Sequence, residues 1–198
     1  MKEMWDERFA KKEYAYGKAP NEFFKQEIDK ITPGRLLLLG EGEGRNGIYA
    51  ATFGWIVDAV DWSIKGKEKA EQLALEQGVK INYIISDLSE YKPRENYYDA
   101  IGLVFIHLEP ELRFRIHRNV TRSLKSGGVV ILESYEKEQL NNSSGGPKDS
   151  ELLYSLEDIF SDFYDLDILS FSKESVLLNE SKIHSGTAEI IRYVGKKE

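Results

Sequence analysis

The sequence predicts an α/β fold: a mostly parallel seven-stranded sheet with helices on both faces and an antiparallel last strand. Three observations predict it. Short apolar runs alternate with segments of helical period between residues 36 and 163, the pattern of successive βαβ units. Residues 164–194 carry strand-like runs with few helical breaks, which suits an antiparallel edge. The composition, 41% hydrophobic and 31% charged over 198 residues, is that of an ordinary globular chain, and a chain of this size buries about 70% of its extended surface in one core. A single domain over 1–198 follows, with 1–30 as an N-terminal cap, 35–134 as a core and 135–198 as a lid loop and closing strands.

Each element has its own signal. Residues 36–39 are four leucines after the turn Thr32-Pro33-Gly34, a short run that reads as a buried strand. A helix over 46–53 and a strand over 55–60 follow. Ser63 is placed to cap a helix that runs to Gln77 and closes at Gly78. Strands are predicted over 79–85 and 100–105. Leu112, Ile116, Val120 and Leu124 recur at steps of four, giving an amphipathic helix over 111–124 that Ser126-Gly127-Gly128 ends before a strand over 129–132. The polar stretch 139–150 reads as a long loop. A helix over 152–163 and strands over 164–171, 175–178 and 187–194 complete the chain.

Charge and composition narrow the function. Thirty-four acidic and 27 basic residues give a formal net charge of −7, which disfavours a phosphate-covered partner such as nucleic acid. Arg113, Arg115, Arg118 and Arg122 are spread around one helix and read as a solvated face, with His117 on its solvent side. The chain has no cysteine and three histidines, so disulfides, thiolate metal sites and cysteine nucleophiles are excluded and no metal is expected. The first residues, charged and without an apolar core, do not resemble a secretory leader, and no run reaches the roughly 18 apolar residues of a membrane span. A cytoplasmic protein without a membrane partner is expected.

The richest segment is Gly40-Glu41-Gly42-Glu43-Gly44-Arg45-Asn46-Gly47, set between a strand and a helix. Glycines there permit a tight turn and close approach of a ligand to the backbone. Gly42, Gly44 and Gly47 fit the dinucleotide spacing GxGxxG. Gly40, Gly42 and Gly44 fit GxGxG, which resembles the first motif of class I S-adenosylmethionine-dependent methyltransferases. Asp61 lies about 20 residues on in either frame and suits a ribose. Glu41 and Glu43 beside a pyrophosphate would be unfavourable, whereas a sulfonium and an ammonium tolerate acidic neighbours. Arg45 and Asn46 brace the loop.

The resemblance extends along the chain. Val57-Asp58-Ala59-Val60-Asp61 resembles the second class I motif, which implies Asp61 on the ribose with Trp62 beside the adenine. Ser86-Asp87-Leu88 resembles the third, which implies Asp87 on the adenine amino group and Leu88 near the ring. Tyr98-Asp99-Ala100-Ile101 and Leu124-Lys125-Ser126-Gly127-Gly128 resemble the flanks of the fourth and fifth strands. Trp5-Asp6-Glu7-Arg8-Phe9, the segment 14–21 and Gly145-Gly146-Pro147-Lys148-Asp149 are similar to the bacterial tellurite-resistance and thiopurine S-methyltransferase group. The implied cofactor set is Gly40, Glu41, Gly42, Gly44, Asn46, Asp61, Trp62, Asp87, Leu88 and Phe105, holding S-adenosylmethionine and releasing S-adenosylhomocysteine. Tyr16, Gly17, Pro20 and His184 are the implied substrate pocket. One departure stands out: Leu38 occupies the place where many class I enzymes carry an acid.

His107, at the carboxyl end of the fourth strand where open α/β sheets bind ligands, is the candidate general base. The expectation is a methyltransferase acting on a small acceptor: a thiol, a chalcogen oxyanion or a small metabolite. The alternatives are an NAD(P)-dependent oxidoreductase and a non-catalytic S-adenosylmethionine-binding regulator.

Overall fold

The computed structural model describes residues 2–181 and 183–198. Its core is one seven-stranded sheet built from β1 (Arg35–Leu39), β2 (Ile56–Asp61), β3 (Asn82–Ile85), β4 (Tyr98–Val104), β5 (Leu124–Tyr135), β6 (Asp167–Ser181) and β7 (His184–Lys196). The strand order is β3-β2-β1-β4-β5-β7-β6. The first five strands run parallel and β7 is antiparallel to both neighbours. The order reverses beside β1, which places a crevice at the carboxyl ends of β1 and β4.

The leucine run lacks alternation because both its faces are buried. Leu36 and Leu38 join the core under α2 (Glu22–Ile28), α3 (Arg45–Thr52) and α4 (Ile64–Gln77). Leu37 and Leu39 join the opposite core under α5 (Pro110–Ser123) and α6 (Leu156–Asp162). Full burial of such a side chain contributes about 1.5–3 kcal/mol. The helix α4 has the predicted ends: Ser63 Oγ accepts from the Gly66 N–H, and Gly78 closes the helix at φ 66°.

Several expectations change. The helix expected over 152–163 starts at Leu156, because Ser155 and Asp158 form a reciprocal capping box and hold the chain non-helical before it. The strands expected over 164–171 and 175–178 are one strand, β6, because its pairing with β7 continues through Lys173 and Glu174. The stretch 139–150 is tied down rather than free: Gln139 donates to Ser144 Oγ (2.9 Å) and accepts from the Glu189 N–H (2.9 Å).

The arginine-rich helix is also different. His117 is buried, and its Nδ1 lies 2.8 Å from Asp162 of α6. Arg113, buried as well, pairs with Asp162 (2.8 Å) and Asp158 (3.1 Å), and Arg118 pairs with Asp165 (2.6 Å). Arg115 and Arg122 are exposed, as expected of a solvated face, but the side of α5 bearing Arg113, His117 and Arg118 is an interface with the acidic α6 segment, a partner that helical periodicity alone does not reveal. Among the described residues, no helix is long and apolar enough to cross a membrane.

The N-terminal helix α1 (Lys2–Phe9) packs on α4. Asp6 accepts from Ser63 Oγ and from the Lys65 N–H, so α1 is anchored at the first turn of α4.

Candidate cofactor and acceptor site

The turn after β1 is shaped by three left-handed glycines: Gly40, Gly42 and Gly44 at φ 63°, 60° and 88°. Side chains are disfavoured there by conformation and by space. A Cβ on Gly40 would lie 3.2 Å from Ile106, on Gly42 3.0 Å from Phe9, and on Gly44 2.6 Å from Ala70. The turn is thus a bare-backbone cradle beneath α1 and the loop after β4. The ends of β1, β2 and β3 are joined beside it, the Gly40 N–H donating to Val60 O (2.8 Å) and the Ser86 N–H to Asp61 O (3.0 Å). Gly40, Asp61 and the Ser86-Asp87 step therefore share one edge.

Asp61 is buried and holds the cradle's shape. Its carboxylate accepts from the Gly42 N–H (3.0 Å) and the Ser63 N–H (2.9 Å). Burial pushes its pKa upward against these bonds. The Trp62 N–H also bonds to it, and a carboxylate's roughly four lone-pair sites leave one for a hydroxyl donor. Trp62, Asp87 and Leu88 are half-buried on the same edge, and Asp87 accepts from the Ser89 N–H (2.7 Å).

The two glutamates of the turn are engaged elsewhere. Glu41 Oε1 accepts from the N–H groups of Asn46 (2.8 Å) and Gly47 (2.7 Å), capping α3. Burial drives its carboxyl up to about 7, against the pull of those bonds. Glu43 accepts from the Ala15 N–H (2.7 Å) and pairs with Lys69 (2.7 Å), clamping the cap to α4. Asn46 Oδ1 accepts from the Asn21 N–H (2.9 Å). Glu41 and Asn46 thus serve the frame of the turn.

This arrangement separates the two cofactor readings on new grounds. A dinucleotide places its pyrophosphate on the first free N–H groups of the following helix. Here Glu41 already holds two of them, and the nearby cations Arg45 and Lys69 are paired with Glu180 and Glu43. The residues present fit a nucleoside without phosphate: a glycine cradle, a buried acid at the end of β2 and a second acid one strand further.

Comparison with known proteins agrees. The family model described as tellurite resistance protein TehB matches residues 3–143. The chain belongs to the TehB family. Its fold is the one seen in S-adenosylmethionine-dependent methyltransferases. TehB from Haemophilus influenzae superposes with a TM-score of 0.76 at 16% identity, over 100% of this chain and 67% of that one. The N-methyltransferase NodS from Bradyrhizobium japonicum WM9, solved with S-adenosylhomocysteine, gives 0.74 at 12% identity, over 99% and 97%. Ubiquinone biosynthesis O-methyltransferase of Rickettsia canadensis (strain McKiel) is 31% identical over 112 residues, 56% of this chain and 45% of its own. The TehB-family chain thus spans less than half of that relative's length.

A cavity of about 400 Å³ lies between the cap and the β6–β7 hairpin, lined in part by Tyr16, Gly17, Pro20, Arg45, Glu133 and Glu180. Three of the residues read as substrate pocket border it. His184, the fourth, is buried behind Glu180, with its Nδ1 3.1 Å from that carboxylate. Phe105, at φ 51°, is packed with Tyr135 and His184 at ring distances of 4.7 and 5.0 Å, so it belongs to this aromatic group. His107 is stacked on Tyr135 at 5.8 Å. Its buried Nδ1 has no hydrogen-bond partner, and burial, aided by nearby His184, pulls its pKa down to about 4. His107 is neutral at pH 7 but weakly basic.

Sequence reasoning missed Glu180, Asn21 and Tyr135. Glu180 Oε2 meets Arg45 at 3.0 Å, and its Oε1 accepts from Asn21 at 3.0 Å. These partners are more than 130 residues away in sequence, and no local pattern signals such a contact. Against the upward push of burial, His184 and Arg45 hold the Glu180 carboxyl down at about 2. A depressed carboxylate stabilises the fold above its unfolded pKa and loses that contribution as pH falls through the folded value. Wild type is therefore expected to exceed Glu180→Gln by roughly 2–3 kcal/mol at pH 7, the gap closing between about pH 4.5 and 2. Urea unfolding at pH 7 and pH 3 measures it, and an equal gap at both would contradict the ion-pair assignment.

Proposed function

We propose that this protein transfers the methyl group of S-adenosylmethionine to a small-molecule acceptor bound beside the N-terminal cap. The observation that carries the reading is Glu41 on the N–H groups of α3, which leaves a cradle suited to a phosphate-free nucleoside. Gly40, Gly42 and Gly44 would lie under the cofactor, Asp61 would take the ribose hydroxyls, and Asp87 with Leu88 would meet the adenine. When bound, the cofactor supplies a methyl group on a sulfonium that departs as a neutral thioether. The chain's own work is alignment and exclusion of water. The α1 helix covers the turn through Phe9, and Arg8 donates to the Tyr16 hydroxyl (2.7 Å), fastening the cap over the site. The family's description, tellurite resistance protein, supports a chalcogen oxyanion, the name of the O-methyltransferase relative supports an oxygen acceptor, and the cavity of about 400 Å³ beside Tyr16 suits a small one.

Saturating S-adenosylhomocysteine, at about 100 times Kd, is expected to add about 2.7 kcal/mol, a rise of roughly 5–10 °C in Tm. Asp61→Ala is expected to weaken its binding by about 1–3 kcal/mol, measured by calorimetry. Stabilisation by NAD(P) instead would reverse the reading. Binding of the nucleoside without transfer to a broad acceptor panel would point to a regulator.

A further inference from the structure

We propose that Arg8 binds the carboxylate of S-adenosylmethionine, the cofactor's one anionic group, and so recognises its methionyl end from the N-terminal cap. This rests on the methyltransferase reading and adds to it a residue outside the glycine turn.

The charges around the turn single out this side chain. Glu41 is engaged on the α3 N–H groups, Lys69 is paired with Glu43, and Arg45 with Glu180. Arg8 differs. Among the described residues its partners are the Tyr16 hydroxyl, to which Nη1 donates at 2.7 Å, and the Trp5 ring, whose centroid lies 4.5 Å from the guanidinium carbon. Neither is an acid. The side chain is half-buried, and a partly desolvated cation is stabilised by an anion placed against it.

Its place in the fold is next to the turn. Arg8 is in the last turn of α1, and its neighbour Phe9 covers Gly42, where a Cβ would lie 3.0 Å from the ring. The loop after β4 approaches the same turn: a Cβ on Gly40 would lie 3.2 Å from Ile106. Burial lowers the pKa of His107, the next residue of that loop, and the charges of His184 and Arg8 lower it further. The guanidinium therefore acts on the β4 end while its helix rests on the glycine turn. That is the crevice at which open α/β sheets bind ligands.

The chemistry matches. An arginine has five N–H donors, and Tyr16 takes one. The others suffice for the two parallel bonds that a guanidinium gives a carboxylate. The Trp5 ring and the Tyr16 hydroxyl hold the side chain before a ligand arrives, so little freedom is lost on binding. The same charge repels a sulfonium and an ammonium. The contact thus sets the cofactor's direction, with its carboxylate toward the cap and its ribose toward Asp61.

The test is calorimetry on the full chain with two ligands that differ by one group. They are S-adenosylhomocysteine and its decarboxylated analogue, which keeps the adenosine, the thioether and the ammonium. Wild type is expected to bind the first about 10–100-fold more tightly. Arg8→Gln is expected to weaken only the first, bringing the two within about threefold, and Arg8→Lys to keep part of the gap. Equal affinity of wild type for both ligands overturns the proposal. An equal loss of both in Arg8→Gln and Arg8→Lys also overturns it, because Arg8 would then only brace the cap, and so does a loss of neither. Adenosine diphosphate binding more tightly than either ligand, and lost in Arg8→Gln, would assign the guanidinium to a phosphate instead. Failure of wild type to bind either nucleoside defeats the methyltransferase reading itself, whereas equal binding of both defeats only the role of Arg8.

Discussion

Asp162→Ala is expected to destabilise the protein by about 3–5 kcal/mol, the cost of removing one partner of a buried charge cluster. Asp162 is buried between α5 and α6 and accepts from Arg113 Nε and His117 Nδ1, each at 2.8 Å. Without it, Arg113 retains the less buried Asp158 at 3.1 Å, and the imidazole loses the carboxylate at its Nδ1. Burial, the stronger influence, holds the His117 pKa down, while Asp162 raises it, so the ring is not rescued by solvent. The ring also stacks on Phe163 at 4.6 Å, which transmits the loss to the core under α5. Urea unfolding at pH 7 measures the change, with a Tm lower by roughly 2–4 °C per kcal/mol in a chain of this size. A loss below 1 kcal/mol would show that the cluster is solvated and contributes little.

Gly44→Ala carries the second large effect, and it strikes fold and site together. The left-handed conformation at φ 88° costs a non-glycine residue roughly 1–2 kcal/mol. The new methyl group would also lie 2.6 Å from Ala70 Cβ and 2.8 Å from Ile48 Cδ1, and overpacking of this kind costs about 1–3 kcal/mol more. Relief requires α3 and α4 to move apart, which would pull Glu41 from the α3 N–H groups and distort the glycine turn. The expected result is a loss of about 2–5 kcal/mol in stability, with weaker binding of S-adenosylhomocysteine in calorimetry. Gly54→Ala is the control. Its φ is 90°, but nothing lies within 4 Å of its Cβ, so only the conformational part should appear. Equal losses at the two positions would remove the steric account of Gly44.

These two sites show where local pattern suffices and where it does not. The glycine turn is legible because backbone conformation is a property of a few consecutive residues: Gly40, Gly42 and Gly44 announce a turn that only glycine adopts, and the leucine run before it announces a strand buried on both faces. Ser63 and Gly78 mark the ends of α4 for the same reason. The cluster at Asp162 is not legible, because the partner of Arg113 and His117 comes from a different helix. The periodicity of α5 identifies its apolar stripe and is silent on whether the opposite face meets water or acid. The same limit applies to Glu41. Its charge was readable as hostile to phosphate, but its engagement on the α3 N–H groups depends on how the turn folds back.

By itself, then, the sequence determined the α/β architecture, the mostly parallel sheet and the place of the glycine turn, since these follow from short-range periodicity, capping and glycine conformation. Only the tertiary structure decided which charges are engaged in holding the frame and which remain to meet a ligand. Glu43 with Lys69, Arg45 with Glu180 and His184 with Glu180 are long-range or hairpin-tip contacts. Their partners are chosen by the packing of whole elements, and burial then fixes how strongly each charge is felt.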